Sequence, residues 1–365
     1  MKLPKLLIRD RIINVPILQG GMGIGISLSH LSGAVAREGG CGIVSSAGLH
    51  FLISQEKKEK VNAFTAAQIE IQKAQKLSQG NGAIGMNIMV YIARDFEDSV
   101  RGSIAGGADM IICGAGLQLN LPDVTKNHNI ALIPIVSSLR ALQIICKRWA
   151  KKKRRPDAVI VEGPLAGGHL GFKFQDVNCV ENSLEHIFPP IKEWVEKNGN
   201  FPVIVAGGIF DHEDICTWIH HHGANGVQMG TRFLATHESG ATKSYKKAVV
   251  DCSKDDIIVV HNTQCVPGSP SGMPFRSLKN TPMILHACNR IPKCTRGFVA
   301  QKDEKGNYTL CDAQKNPKNS FCICNGLLAS CGAINDDELY TVGTNAARIQ
   351  NIISVKTLMK ELRGI

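Results

Sequence analysis

Eight short apolar runs, each ending near Gly, Ser or Asn, constrain this chain more than any other feature. They occupy residues 15–20 (VPILQG), 41–46 (CGIVSS), 83–90 (AIGMNIMV), 110–116 (MIICGAG), 131–138 (ALIPIVSS), 158–163 (AVIVEG), 203–208 (VIVAGG) and 226–233 (GVQMGTRF). They are nearly continuous rather than alternating, as parallel strands covered on both faces must be. Amphipathic stretches rich in Lys, Glu, Ala and Leu separate most of them, at residues 55–79, 139–153, 181–197 and 211–222. Strand then helix, repeated, is the grammar of an α/β chain with a parallel sheet. An open doubly wound sheet is the rival. Eight units favour closure into a (β/α)8 TIM barrel, which needs about 250 residues.

The chain has 365 residues, so a barrel leaves room for an addition. After the eighth run the alternation stops, and residues 265–334 hold seven of the thirteen cysteines. The expected organisation is a barrel over 1–260, a Cys-rich lobe inserted over the active face at 261–335, and a C-terminal helix at 336–365 that packs back on the barrel. Within that last part, residues 344–363 look helical. Cys288, Cys294, Cys311, Cys322, Cys324 and Cys331 are separated by five, sixteen, ten, one and six residues. Those spacings fit neither zinc ribbons nor ferredoxin signatures, so buried thiols are expected and no metal is assigned. The scattered Cys41, Cys113, Cys146, Cys179, Cys216 and Cys252 are assigned to packing.

The net charge is +11. No aromatic-interleaved basic stripe accompanies it, so nucleic acid is not expected as a partner. The N-terminal residues lack the apolar stretch of a signal peptide, and no run reaches the ~20 apolar residues of a membrane span. A cytoplasmic protein is expected, with a homo-oligomer compatible with the sequence.

In a barrel, polar and glycine residues at the C-terminal strand ends form the active face. The first run ends in Gly20, Gly21 and Met22, the third contains Asn87, and the sixth ends in Glu162. The seventh ends in Gly207 and Gly208, and the eighth carries Gln228, Gly230 and Thr231. Glycine-rich ends on the last two strands are where barrels cradle a phosphate. Beyond the sixth run, Gly167 and Gly168 precede His169. A His on such a loop can bind an anion or move a proton near neutral pH.

The segments PILQGGMG, MN, EGPLAGGHLG, AGGI and GVQMGTRF, in that order, resemble the nitronate monooxygenase family, also called 2-nitropropane dioxygenases. The related FMN-dependent enoyl-acyl-carrier-protein reductases share them. The resemblance spans about residues 10–280. It implies FMN, with Gly20, Gly21, Met22, Asn87, Glu162, Gly167, Gly168 and Gln228 around the flavin. Gly207, Gly208, Gly230 and Thr231 would bind its phosphate. His169 matches the family's active-site histidine, as a base or an electrostatic anchor. Leu170 departs from the basic residue that many of these monooxygenases carry there. The expected activity is oxidation of alkyl nitronates with O2. The alternatives are an enoyl-thioester reductase with NAD(P)H as reductant and a non-catalytic flavin- or phosphate-binding barrel.

Overall fold

The apolar runs close on themselves. In the computed structural model, which describes residues 2–92, 94–261, 268–287, 298, 303, 309–315 and 320–365, eight parallel strands form a closed barrel. A hairpin comes first, β1 (Leu6–Ile8) with β2 (Arg11–Ile13). The barrel strands follow as β3 (Ile17–Gln19), β4 (Cys41–Ser45), β5 (Ala83–Met89), β6 (Met110–Gly114), β7 (Ala131–Val136) and β8 (Val159–Glu162). A two-residue strand, β9 (Gly168–His169), precedes the last barrel strands β10 (Val203–Ala206) and β11 (Gly226–Met229). β11 pairs with β3 to complete the ring. The chain is therefore a (β/α)8 barrel.

Alternate residues of each strand serve two cores. Leu18, Ile43, Met110, Ile112, Ile133, Ile160 and Ile204 fill the barrel, together with Leu6, Ile8 and Ile13 of the hairpin. Val44, Ile84, Ile111, Leu132, Val159 and Val205 face outward against the helices. This double coverage explains why the runs read as continuous. The hairpin plugs the N-terminal end of the barrel, leaving the opposite end for function.

The helices correct several boundaries. The 55–79 stretch is not one helix: it divides into Leu49–Lys57 and Ala63–Ser78. Lys58 adopts a left-handed conformation that stops the first, and Asn62 caps the second by accepting from Thr65 N–H at 2.8 Å. The 211–222 stretch starts as an α-helix, His212–Cys216, and continues as a π-helical turn, Thr217–His221. Residues 344–363 are also not one helix. Thr344–Arg348 is a 3-10 turn, and the α-helix begins only at Val355–Arg363, where Leu358, Met359 and Leu362 join the barrel core.

Beyond the barrel, β12 (Ile257–Val260) and β13 (Phe275–Leu278) form an antiparallel sheet with β9. This sheet joins residues on both sides of position 260. A third cluster, including Phe275, Met283, Phe321, Cys322, Cys324 and Leu328, packs onto Ile24 and Ala47 from the loops after β3 and β4. Cys265, Cys288 and Cys294 lie outside the described residues. Of the six cysteines assigned to packing, Cys179 is exposed. Among the described residues no cluster of three or more His, Cys, Asp or Glu side chains could hold a metal ion. No helix among them is long and apolar enough to cross a membrane.

Trp149 closes the helix Leu139–Ala150 against the barrel, fully buried, with Nε1–H donating to the Gln118 carbonyl at 2.8 Å. Truncation would remove its volume and leave that carbonyl without its donor. Trp149→Ala should therefore cost about 3–5 kcal/mol of stability, read from the urea unfolding midpoint.

Candidate active site

At the C-terminal end of the barrel lies a cavity of about 250 Å³. All the glycine, polar and histidine positions singled out in the sequence line it, contributed by the ends of β3, β5, β8, β10 and β11 and by β9. The floor is set by β3. Gln19 is buried, and its amide donates to Ser27 Oγ at 2.8 Å and to the Gly20 carbonyl, while its Oε1 accepts Ile43 N–H at 3.1 Å. Met22 N–H donates to Ser27 Oγ at 3.0 Å, so one buried amide and one hydroxyl fix the turn from Gly20 to Met22. Asn87 crosses from β5 and donates to the Gly21 carbonyl at 3.1 Å. Its Oδ1 is buried without a partner. An orphaned acceptor at a cavity wall is a place for a ligand N–H or O–H.

The glycine cradle adjoins this floor, because β11 pairs with β3. Gly207 and Gly208 follow β10 with φ of 94° and 88°, a left-handed bend that an L side chain would strain. Gly230 and Thr231 begin the short helix Thr231–Leu234 after β11, where backbone N–H groups have no intrahelical acceptor. Thr231 Oγ1 accepts Gly343 N–H at 2.9 Å and keeps its own hydrogen to donate. Gln228 is nearly buried, its side chain beside Gly20.

The sequence reading missed a strap over this cradle. Thr344 N–H donates to the Leu165 carbonyl at 3.2 Å, and Asn345 Nδ2 to the Gly208 carbonyl at 2.6 Å. Gly167 lies directly under it. A Cβ there would sit 2.5 Å from the Val342 carbonyl carbon and 2.6 Å from Gly343 N. Gly167 is needed for backbone to pass backbone, whereas a Cβ on Gly168 would meet only open space. No local signal marks residues 341–345 as part of a site.

His169 is placed by pairing. It stands opposite Phe275 in the β9–β13 register, and Leu170 N–H donates to the Pro274 carbonyl at 2.8 Å. Its Nε2 is 2.8 Å from Ser269 Oγ. Beside it, Arg276 is buried, its guanidinium donating to the carbonyls of Pro164 and, at 2.7 Å, Ala166. No carboxylate among the described residues pairs with it, and burial pushes its pKa down to about 10. Ser269 and Arg276 were also missed. Both lie in a stretch where the strand–helix alternation has ended.

Burial also sets two of the titratable groups of the cavity, Glu162 and His169, in opposite directions. It pushes the Glu162 carboxyl up to about 7 and the His169 ring down to about 4. In each case the surroundings disfavour the charged form. At neutral pH the imidazole is uncharged and the carboxyl stands near its midpoint.

Residues 5–364 match the sequence model of one family, described as nitronate monooxygenase. The chain belongs to the nitronate monooxygenase family. It is 28% identical over 298 residues to a hydroxy-methyl-oxo-octahydroindene carboxyl-CoA dehydrogenase of Mycobacterium tuberculosis, covering 81% of this chain and 71% of that protein. It is 24% identical over 261 residues to a probable nitronate monooxygenase of Bacillus subtilis, covering 66% and 72%. Among solved structures, FabK from Thermotoga maritima superposes with a TM-score of 0.67 at 25% identity, over 96% of this chain and 92% of that one. The family and these likenesses make the chain an oxidoreductase.

The raised Glu162 value has a testable consequence. The folded state holds this proton between the ordinary carboxyl value of 4.5 and about 7, where the unfolded chain has lost it. Stability therefore falls as pH rises through that window. His169 acts the other way, because the unfolded ring takes up a proton between 6.5 and about 4 that the folded ring refuses. In flavin-free protein, Glu162→Gln should gain stability over the parent above pH ~8, and the gain should vanish below pH ~5, as urea midpoints would show.

Proposed function

We propose that this chain is an FMN-dependent nitronate monooxygenase that oxidises alkyl nitronates with O2. The observation that carries this reading is the cavity itself. A glycine cradle suited to a phosphate adjoins an amide-lined floor with the orphaned Asn87 Oδ1, and an uncharged His169 lines the same cavity. The residues fit FMN. Gly207, Gly208, Gly230 and Thr231 would hold the phosphate through backbone N–H groups and a hydroxyl. Gly20, Gly21, Met22, Asn87, Glu162, Gly167, Gly168 and Gln228 would surround the flavin. Bound there, FMN would supply the electron transfer, with O2 as the oxidant.

The protein's own part is binding and orientation. Arg232, which lines the cavity, Arg276 and the backbone donors give it a positive field, which suits the anionic oxygens of a nitronate. His169 stands where a substrate oxygen can be hydrogen-bonded. Glu162, protonated below about pH 7, can donate as well as accept.

A second reading has specific support. The Mycobacterium tuberculosis relative is named for a carboxyl-CoA substrate, and the chain carries a net charge of +11. An enoyl-thioester reductase using NAD(P)H would draw on both features, since acyl carriers are anionic.

Anaerobic reduction of the yellow protein separates the two, followed at the flavin band near roughly 450 nm. Bleaching by propyl nitronate alone supports the monooxygenase. Rapid bleaching by NADH or NADPH, reversed by an enoyl thioester, makes the protein a reductase. His169→Ala should retain flavin and lose a factor of about 10²–10⁴ in turnover; unchanged turnover removes His169 from the site. Gly208→Asp sets a carboxylate at the cradle on a left-handed residue and should purify colourless.

A further inference from the structure

Glu162 is the one acidic side chain among the described residues lining the cavity, and the strand pattern fixes where it points. On β8, Val159 and Val161 face the helices while Ile160 fills the barrel, so Glu162 turns toward the barrel axis. It stands beside Ala206 of β10, and Ala206 stands beside Gln228 of β11. Between the two long side chains lies only the Ala206 methyl. Beneath them Ile133, Ile160 and Ile204 close the barrel and expose no surface. Water therefore reaches Glu162 through the cavity.

No described residue takes up the charge of this carboxyl, and burial alone moves its pKa, up to about 7. The strands on either side, β7 and β10, bring no ionisable residue. Gln228 on β11 is neutral. The β9–β13 pair brings His169, which burial holds neutral, and Arg276, committed to the Pro164 and Ala166 carbonyls. Two further ionisable groups line the cavity. Arg232 is paired with Glu361 at 2.7 Å, and Tyr245 donates its hydroxyl hydrogen to the Thr341 carbonyl at 2.5 Å. A ligand that fills the cavity takes away the water Glu162 has. A carboxylate left with neither solvent nor partner costs more than taking up a proton. A ligand that carries its own anion adds a like charge to that cost. The neutral acid instead has an O–H to donate to a carbonyl oxygen or ring nitrogen of the ligand.

We propose that Glu162 enters the flavin complex as the carboxylic acid, so that the cavity binds FMN and one proton together. The inference rests on the FMN reading of the site and is independent of which substrate is oxidised. Linkage is reciprocal, so FMN holds the proton and the proton holds FMN. Below about pH 7 the free site already carries the proton, and Glu162 gives the affinity no pH dependence. Above it the free site has lost the proton, and each complex must recover one from solvent. The affinity for FMN then falls by up to about tenfold per pH unit. No other group lining the cavity supplies this effect. At about pH 8 His169 is neutral with its pKa far below, and burial pushes the Tyr245 hydroxyl well above its ordinary value.

The test titrates flavin-free protein with FMN at about pH 8, where the FMN phosphate, with a second pKa of about 6, brings no proton of its own. Calorimetry in two buffers of different ionisation enthalpy counts the protons taken up. The expected count is close to one per FMN in the parent and close to zero in Glu162→Gln. Fluorescence titrations between about pH 7 and pH 9 should show the parent losing affinity relative to Glu162→Gln by up to about tenfold per unit. A parent that takes up no proton overturns the proposal, and that count stands even if Glu162→Gln fails to fold. Equal counts in parent and variant overturn it as well, because the proton would then reside elsewhere. A chain that takes up no FMN at any pH overturns the cofactor reading and this inference together. A chain that binds FMN with its proton yet leaves nitronates untouched refutes the proposed activity alone.

Discussion

A buried guanidinium with two carbonyls for partners holds the active face together. Removing Arg276 from water is expensive, and no carboxylate among the described residues compensates it. The cost is met by the Pro164 and Ala166 carbonyls, which themselves need donors once buried. Fixing these carbonyls sets the course of the loop beyond β8. From that course follow the close passage of Gly167 under the strap, the pairing of β9 with β13, and the placement of His169. A hydrophobic residue at 276 could fill the volume but would leave both carbonyls unsatisfied.

The barrel was legible because its strands are buried on both faces, which writes them as unbroken apolar runs. The candidate site was legible because strand ends must turn, and glycines that turn a strand also leave room for a ligand. What escaped were features built from contacts between distant segments. The β1–β2 hairpin turns through Arg9 and Asp10, with Arg9 at φ 56°, and nothing in those two residues resembles an Asn-Gly or Asp-Gly turn. The strap residues were taken for helix because amphipathic residues follow them. Their backbone groups, however, bond to Leu165 and Thr231. The division at Lys58 rests on a single left-handed residue. Ser269 and Arg276 matter because of what lies across from them, and a lone serine or arginine does not announce that.

The cavity attracts negative charge although the cation that lines it, Arg232, is already paired with Glu361. Burial keeps the His169 ring neutral and favours the protonated Glu162. The positive field is left to the first N–H groups of the helix after β11, to the backbone at Gly207 and Gly208, and to Arg276 behind the loop. Such a field is fixed in direction and needs no reorganisation when charge arrives. Its sources do not titrate between acid and neutral pH, so Glu162, which ionises near pH 7, is what alters the charge beside them there.

The strap bears on how the protein comes into being. Gly343, Thr344 and Asn345 complete the cradle, yet they leave a ribosome well after β11. A nascent chain can close its barrel ring once β11 has emerged, at Met229, while the cradle is still missing one wall. Any ligand that depends on that wall is then retained only by chains extended past position 345. Synthesis and loading become sequential events, and a chain that has not yet reached position 343 lacks the wall that shuts the pocket.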